Sequence, residues 1–172
     1  MIYLRILREV QDSISKWNAG FKRLRGYVDN IVVLLEILRH FKSLGRRIFI
    51  TFTDIEKAFD SIDHAAIFAA LRAAGASRKS IAIVRDIYVK AKAFIKVRQE
   101  CGEVFRIGRG VLEGDVLSPL LFILAIEAVF QRVGADRHAP ILGGVPVPQL
   151  GFADDIMSLS VGAITDVRCR FI

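Results

Sequence analysis

The chain is short of cysteine and has no long apolar run, and each shortage narrows what it can be. Its two cysteines, Cys101 and Cys169, lie far apart and have no ligand-like neighbours. Neither a zinc pattern nor a disulfide framework follows, and a reducing, intracellular setting fits. The longest apolar stretch, Val116 to Ile126, contains Pro119 and is closed by Glu127. It is too short to span a bilayer and predicts a buried helix, with no membrane partner. Arg5, Arg8 and Glu9 interrupt the N-terminal apolar run, so no secretory signal is visible. The expected location is intracellular, with nucleus and cytoplasm not distinguished. Internal repeats and low-complexity linkers are absent as well.

What is there suits a folded, basic domain. The 172 residues amount to about one domain and can bury a real core. Apolar residues make up 53% of them, which excludes disorder. Such a share implies either a sheet covered on both faces or an apolar surface that meets something else. Lys and Arg number 25 against 18 acids, a net charge of +7. That balance suits a polyanionic partner, though an ordinary basic protein can share it.

Periodicity predicts a helix over residues 1 to about 17 and a second over 28–41, ended near Gly45. Asn18 to Gly26 reads as a polar, basic loop whose Lys22, Arg23 and Arg25 are close enough together to hold phosphates. Arg46 to Thr53 reads as a buried strand. A tight polar turn, Ile55 to Asp63, precedes helices over 64–74, with Asp63 as cap, and over 77–90, with Ser77 as cap. Ala93–Arg98 and Val104–Ile107 read as a hairpin turning around Gly102. A glycine-rich loop, Gly108 to Asp115, leads through Ser118-Pro119 into a long apolar helix ending near Val133. A glycine- and proline-punctuated stretch, 141–147, follows a polar loop. Residues 161–172 show neither period nor clear stop.

Two features carry chemistry. Asp154 and Asp155 stand side by side between apolar runs, predicting a hairpin with the acid pair at its apex and polar breaks at 149–151 and 154–155. Adjacent anions repel, so packing such an apex against protein is costly unless a cation joins it. Taken alone, it reads first as an exposed acidic turn. Asp54, at the end of the strand over 46–53, faces a similar cost unless it reaches a cleft or a cation.

Three stretches then stand in the order and spacing of polymerase palm motifs. They are Asp54-Ile-Glu-Lys-Ala-Phe-Asp-Ser-Ile-Asp-His64, Arg109-Gly-Val-Leu-Glu-Gly-Asp-Val-Leu-Ser-Pro119 and Phe152-Ala-Asp-Asp155. Asn18 to Ile31 is similar to a fingers block upstream of such a palm. Over residues 15 to 160 the chain resembles a reverse transcriptase of a non-LTR, LINE-like retrotransposon.

The resemblance implies an α+β fold, a right-hand polymerase palm of antiparallel sheet on helices. Residues 1–43 would be partial fingers. Residues 44–172 would be palm with an inserted fingers hairpin at about 92–108, cut before the thumb, which a longer or second chain would supply. It implies RNA-directed DNA polymerase activity, adding dNTPs to a DNA primer on an RNA template. Two Mg²⁺ ions, with Mn²⁺ as substitute, would activate the primer 3′-hydroxyl and neutralise the leaving pyrophosphate. Asp54, Asp154 and Asp155 would be catalytic, with Asp54, Asp154 and the Ile55 carbonyl as metal ligands. Phe59 would pack beneath the sugar and exclude a 2′-hydroxyl. Glu113, Gly114, Lys22, Arg23 and Arg25 would face nucleotide or template. Two positions depart from the family's usual pattern. Glu113 replaces a Gln, bringing a carboxylate towards phosphates, and Leu24 replaces a Gly, which implies a differently formed loop. A non-catalytic nucleic-acid-binding remnant is the alternative, and Phe59 argues against an RNA-dependent RNA polymerase.

Overall fold

The computed structural model describes residues 2–22, 24–133 and 138–161. Its helices are α1 (Ile2–Val10), α2 (Tyr27–Ser43), α3 (Ala58–Ser61), α4 (His64–Ala73), α5 (Arg78–Lys90) and α6 (Ser118–Val133). Its strands are β1 (Phe49–Thr53), β2 (Lys92–Ala93), β3 (Lys96–Val97), β4 (Glu100–Cys101), β5 (Phe105–Arg106), β6 (Ile141–Leu142), β7 (Val145–Pro146), β8 (Gln149–Phe152) and β9 (Asp155–Ser160). This is the expected α+β mixture of helices and antiparallel sheet. Two units form, each from two separate stretches: Met1–Ile14 with Glu56–Ala125, and Ser15–Ile55 with Ile126–Ile172.

The second unit holds a three-stranded antiparallel sheet in the order β1-β9-β8. Strand alternation puts Ile48 and Ile50 of the β1 segment, Met157 and Leu159 of β9 and Leu150 of β8 on one face. That face packs with Ile37 and Phe41, the buried residues of α2, and with Val147 and Trp17. α2 begins at Gly26, whose amide donates to the Asp29 carboxylate at 2.9 Å, and stops before Gly45 at φ +63°. β1 was expected to be buried. It lies at the sheet edge and is half-buried, with Phe52 73% exposed.

The first helix is shorter than its periodicity predicts. α1 gives way to a 3₁₀ turn, Gln11–Ser13. Beyond it, Trp17–Ala19 lies parallel to β8: the Gly151 amide donates to the Trp17 carbonyl at 2.9 Å, and the Ala19 amide to the Gly151 carbonyl at 2.8 Å. Backbone groups paired with a strand are not available to a helix, so tertiary pairing overrides the local preference.

In the first unit, the Glu9 carboxylate accepts from the Ser77 amide (2.9 Å), the Ser77 hydroxyl (3.1 Å) and the Ser80 hydroxyl (3.1 Å). This fastens the end of α1 to the start of α5, where Ser77 caps as expected by accepting from the Ser80 amide. Asp63 precedes α4 but makes no capping bond; its carboxylate pairs with Arg109 at 3.1 Å instead. The turn over 55–63 contains the one-turn helix α3. Leu120 to Leu124 of α6 are all buried, as a helix apolar on every side should be. Among the described residues, no helix is long and apolar enough to cross a membrane.

Two hairpins differ from expectation. The 92–106 hairpin consists of two ladders, β2 with β5 and β3 with β4. It turns at Arg98-Gln99, with Arg98 at φ +55°, and Gly102 instead donates back to the Ile95 carbonyl at 2.8 Å. Residues 141–146 form a small hairpin, β6 with β7, that their punctuation concealed. Gly143 and Gly144, at φ +56° and +80°, supply the two left-handed residues of its turn. Of the loop over 134–140, residues 134–137 lie outside the described residues, as do 162–172.

Candidate active site

The acid pair sits one residue off the predicted apex. Phe152 pairs with Asp155 across the hairpin, so the two-residue turn is Ala153-Asp154, and Asp155 opens β9. Residues 149–151 belong to β8 and are not a break. Ala153 takes φ +59°, which a tight hairpin turn demands and an alanine resists.

Register brings the third acid to the same end of the sheet. Thr53 pairs with Ile156, the last pair of β1 and β9. Asp54 follows Thr53 and Asp155 precedes Ile156, so both acids lie just beyond the last pair of β1 and β9, with Asp154 next in the turn. Asp54 and Asp155 are exposed and Asp154 is half-buried. No described side chain forms an ion pair with any of the three. Ile55, the expected carbonyl ligand, directly follows Asp54.

The basic loop is in the same unit; its Lys22 turns inwards, while Arg25 is exposed. The Lys22 ammonium donates to the Ser15 carbonyl. Burial lowers the Lys22 pKa, and the Glu127 carboxylate partly opposes that shift. Glu127 is itself 5% exposed and accepts from the Ser15 amide at 3.0 Å. The Arg25 guanidinium pairs with Asp29 at 3.3 Å and donates to the Lys16 carbonyl at 3.3 Å. Arg23 lies outside the described residues. Leu24 adopts φ +60°, the region that suits a glycine, with 93% of its surface exposed.

Phe59, Glu113 and Gly114 belong to the first unit. The Phe59 ring lies on Phe122. The glycine-rich loop is bound to the turn that carries Phe59: the Gly110 amide donates to the Ile62 carbonyl at 2.8 Å and the Val111 amide to the Phe59 carbonyl at 2.9 Å. The His64 ring Nε2 donates to the Gly110 carbonyl at 3.0 Å. A β-carbon on Gly110 would sit 2.9 Å from Asp60 Cα, whereas one on Gly114 (φ +77°) would meet nothing. Glu113 is exposed.

Sequence reasoning missed Asn18, Gly20 and Gly110. Asn18 is 1% exposed, and its carboxamide holds the acid turn from behind. The only local signal was an uncharged Asn-Ala-Gly leading into a basic run.

The family model described as reverse transcriptase (RNA-dependent DNA polymerase) matches residues 1–168. The Pol polyprotein of the type-2 retrotransposable element R2DM of Drosophila melanogaster is 33% identical over 138 residues, 80% of this chain and 13% of that protein. The Pol polyprotein of a type-1 retrotransposable element R2 of Nasonia vitripennis is 30% identical over 135 residues, 78% of this chain and 13% of that protein. The chain thus spans about an eighth of the length of these relatives. A telomerase of Candida tropicalis, solved with a fragment of telomeric RNA, shares the fold at a TM-score of 0.64 and 12% identity, over 92% of this chain and 28% of that one. The chain belongs to the reverse transcriptase family.

Proposed function

We propose that the chain carries the nucleotidyl-transfer site of an RNA-directed DNA polymerase from a non-LTR retrotransposon, extending a DNA primer on an RNA template with dNTPs. One observation carries this reading: Asp54, Asp154 and Asp155 lie at one end of a sheet, and among the described residues no side chain forms an ion pair with them. Like charges so placed repel, and a hard divalent cation relieves the repulsion.

The donor set fits such an ion. It is all oxygen, although among the described residues no group of three His, Cys, Asp or Glu is placed to hold a metal ion by itself. Mg²⁺ suits an open set of this kind, being held by one or two carboxylates while water and substrate phosphates complete its sphere. A bound pair of Mg²⁺ ions, or Mn²⁺ in their place, supplies activation of the primer 3′-hydroxyl and neutralisation of the leaving pyrophosphate. Asp54, Asp154 and the Ile55 carbonyl would hold the ions, and Asp155 would support them. Phe59 excludes a ribose 2′-hydroxyl, and Gly114 lets the backbone approach the nucleotide–template pair. Lys22, Arg23 and Arg25 form the basic block towards template or nucleotide.

A second reading, a nucleic-acid-binding remnant without catalysis, is favoured by the exposed carboxylate of Glu113. The test is Mg²⁺-dependent incorporation of dTTP on poly(rA)–oligo(dT). Incorporation that Asp154→Asn abolishes is expected. Template binding without incorporation supports the remnant, and incorporation that survives Asp154→Asn overturns the assigned site.

A further inference from the structure

One carboxamide holds both ends of the residue that turns the chain into Asp154. The Asn18 Oδ1 accepts from the Gly20 amide at 2.8 Å and from the Ala153 amide at 3.3 Å. Its Nδ2 donates to the Ala153 carbonyl at 3.4 Å. Asn18 is buried, so these contacts replace its bonds to water, and losing them would leave polar groups unsatisfied. Gly20 lies equally close: a β-carbon there would sit 2.3 Å from the Ala153 nitrogen and 2.9 Å from its Cα. Only a glycine lets the two backbones meet.

Ala153 is the residue under strain. An L-residue at φ +59° lies in a region where its β-carbon crowds the backbone. Such strain persists only where the surroundings over-determine the conformation. Ala153 is 5% exposed, and the surroundings here are Asn18 and Gly20.

We propose that Asn18 and Gly20 form a clasp that holds Ala153 in its left-handed conformation and so sets the direction of the Asp154 carboxylate. The clasp rests on the polymerase reading above. Asn18 is a positioning residue: it touches the backbone beside the acid, not the acid. A carboxylate that must meet a metal within about half an ångström needs this kind of support. Asn30 provides an internal control. Its Nδ2 donates to the Gly151 carbonyl at 2.8 Å, so it binds the same strand without touching Ala153.

The test reads metal uptake, not turnover. Mn²⁺ binding to the 172-residue chain is followed by electron paramagnetic resonance for wild type, Asn18→Ala, Gly20→Ala and Asn30→Ala, with a thermal melt of each. Asn18→Ala and Gly20→Ala are expected to weaken Mn²⁺ binding about tenfold, the equivalent of one relaxed contact of this kind. Asn30→Ala is expected to stay within about twofold of wild type on the same scale. Gly20→Ala adds one methyl group and covers the case in which Asn18→Ala does not melt cooperatively. Wild-type affinity in the two clasp variants overturns the proposal, as does equal weakening by Asn30→Ala. A wild-type chain that takes up no Mn²⁺ overturns the polymerase reading and this one with it.

Discussion

The ring of Phe59 lies flat on that of Phe122, with centroids 4.1 Å apart and planes 9° from parallel. Phe122 is fully buried on α6, while Phe59 is only half-buried. Phe122 is therefore the fixed support on which the Phe59 ring rests. Removing the support by Phe122→Ala should cost about 3–5 kcal/mol of stability in a denaturant titration. Phe59→Val should cost less stability and, on the proposed function, raise ribonucleotide incorporation relative to deoxyribonucleotide. Unchanged discrimination in that variant would reduce Phe59 to core packing.

Gly110 and Gly114 separate two reasons for a glycine. Both have left-handed backbone, at φ +81° and +77°. Gly110 is also pressed against Asp60, while Gly114 has open space around it. Gly110→Ala should lose more than about 2 kcal/mol, conformational strain and overlap together. Gly114→Ala should lose about 1 kcal/mol, from strain alone. Equal losses in thermal unfolding would contradict the close approach at Gly110.

Leu24 holds a left-handed turn with almost its whole side chain in water. Leu24→Gly gives up almost no packing and relieves the strain, against a gain in unfolded-chain entropy. A net stabilisation of about 0.5–1 kcal/mol is expected, read as a higher melting temperature.

The Glu9 carboxylate is held below its ordinary pKa of 4.5, first by the Ser77 amide and further by the Ser80 and Ser77 hydroxyls and Arg5. A carboxylate with a lowered folded pKa adds stability above its unfolded pKa and loses it as pH falls through the folded one. Stability should therefore drop below about pH 4.5, the ordinary value of this group. Glu9→Gln should start from lower stability at neutral pH and show a shallower acid loss. Parallel acid profiles for the two proteins would contradict the role given to Glu9.

Local signals in the chain located α2, α4, α5 and α6, because Ser, Gly and Pro mark their ends and apolar periodicity marks their faces. The three acids were legible because their spacing followed a family pattern and because charge at a strand end needs a reason. What could not be read depended on distant partners. Trp17 and Ala19 pair with Gly151, far along the chain, so the helix predicted over residues 1 to about 17 could not run its full length. Asn18 looked like a loop residue because its function is a contact to Ala153 that nothing in its own neighbourhood announces. The turn at Arg98-Gln99 was misplaced because Gly102 offered a stronger local signal, yet that glycine serves the strand.

The pairing of β1 with β9 also constrains how the protein is made. Thr53 waits for Ile156, so the ribosome must release roughly a hundred further residues before the central ladder can close. Until then β1 presents unsatisfied backbone edges beside the exposed ring of Phe52. Nascent chains interrupted between α2 and β8 should be prone to stick to one another. The arrangement that brings Asp54 beside Asp155 thus ties the birth of the site to the last part of the sheet to be synthesised.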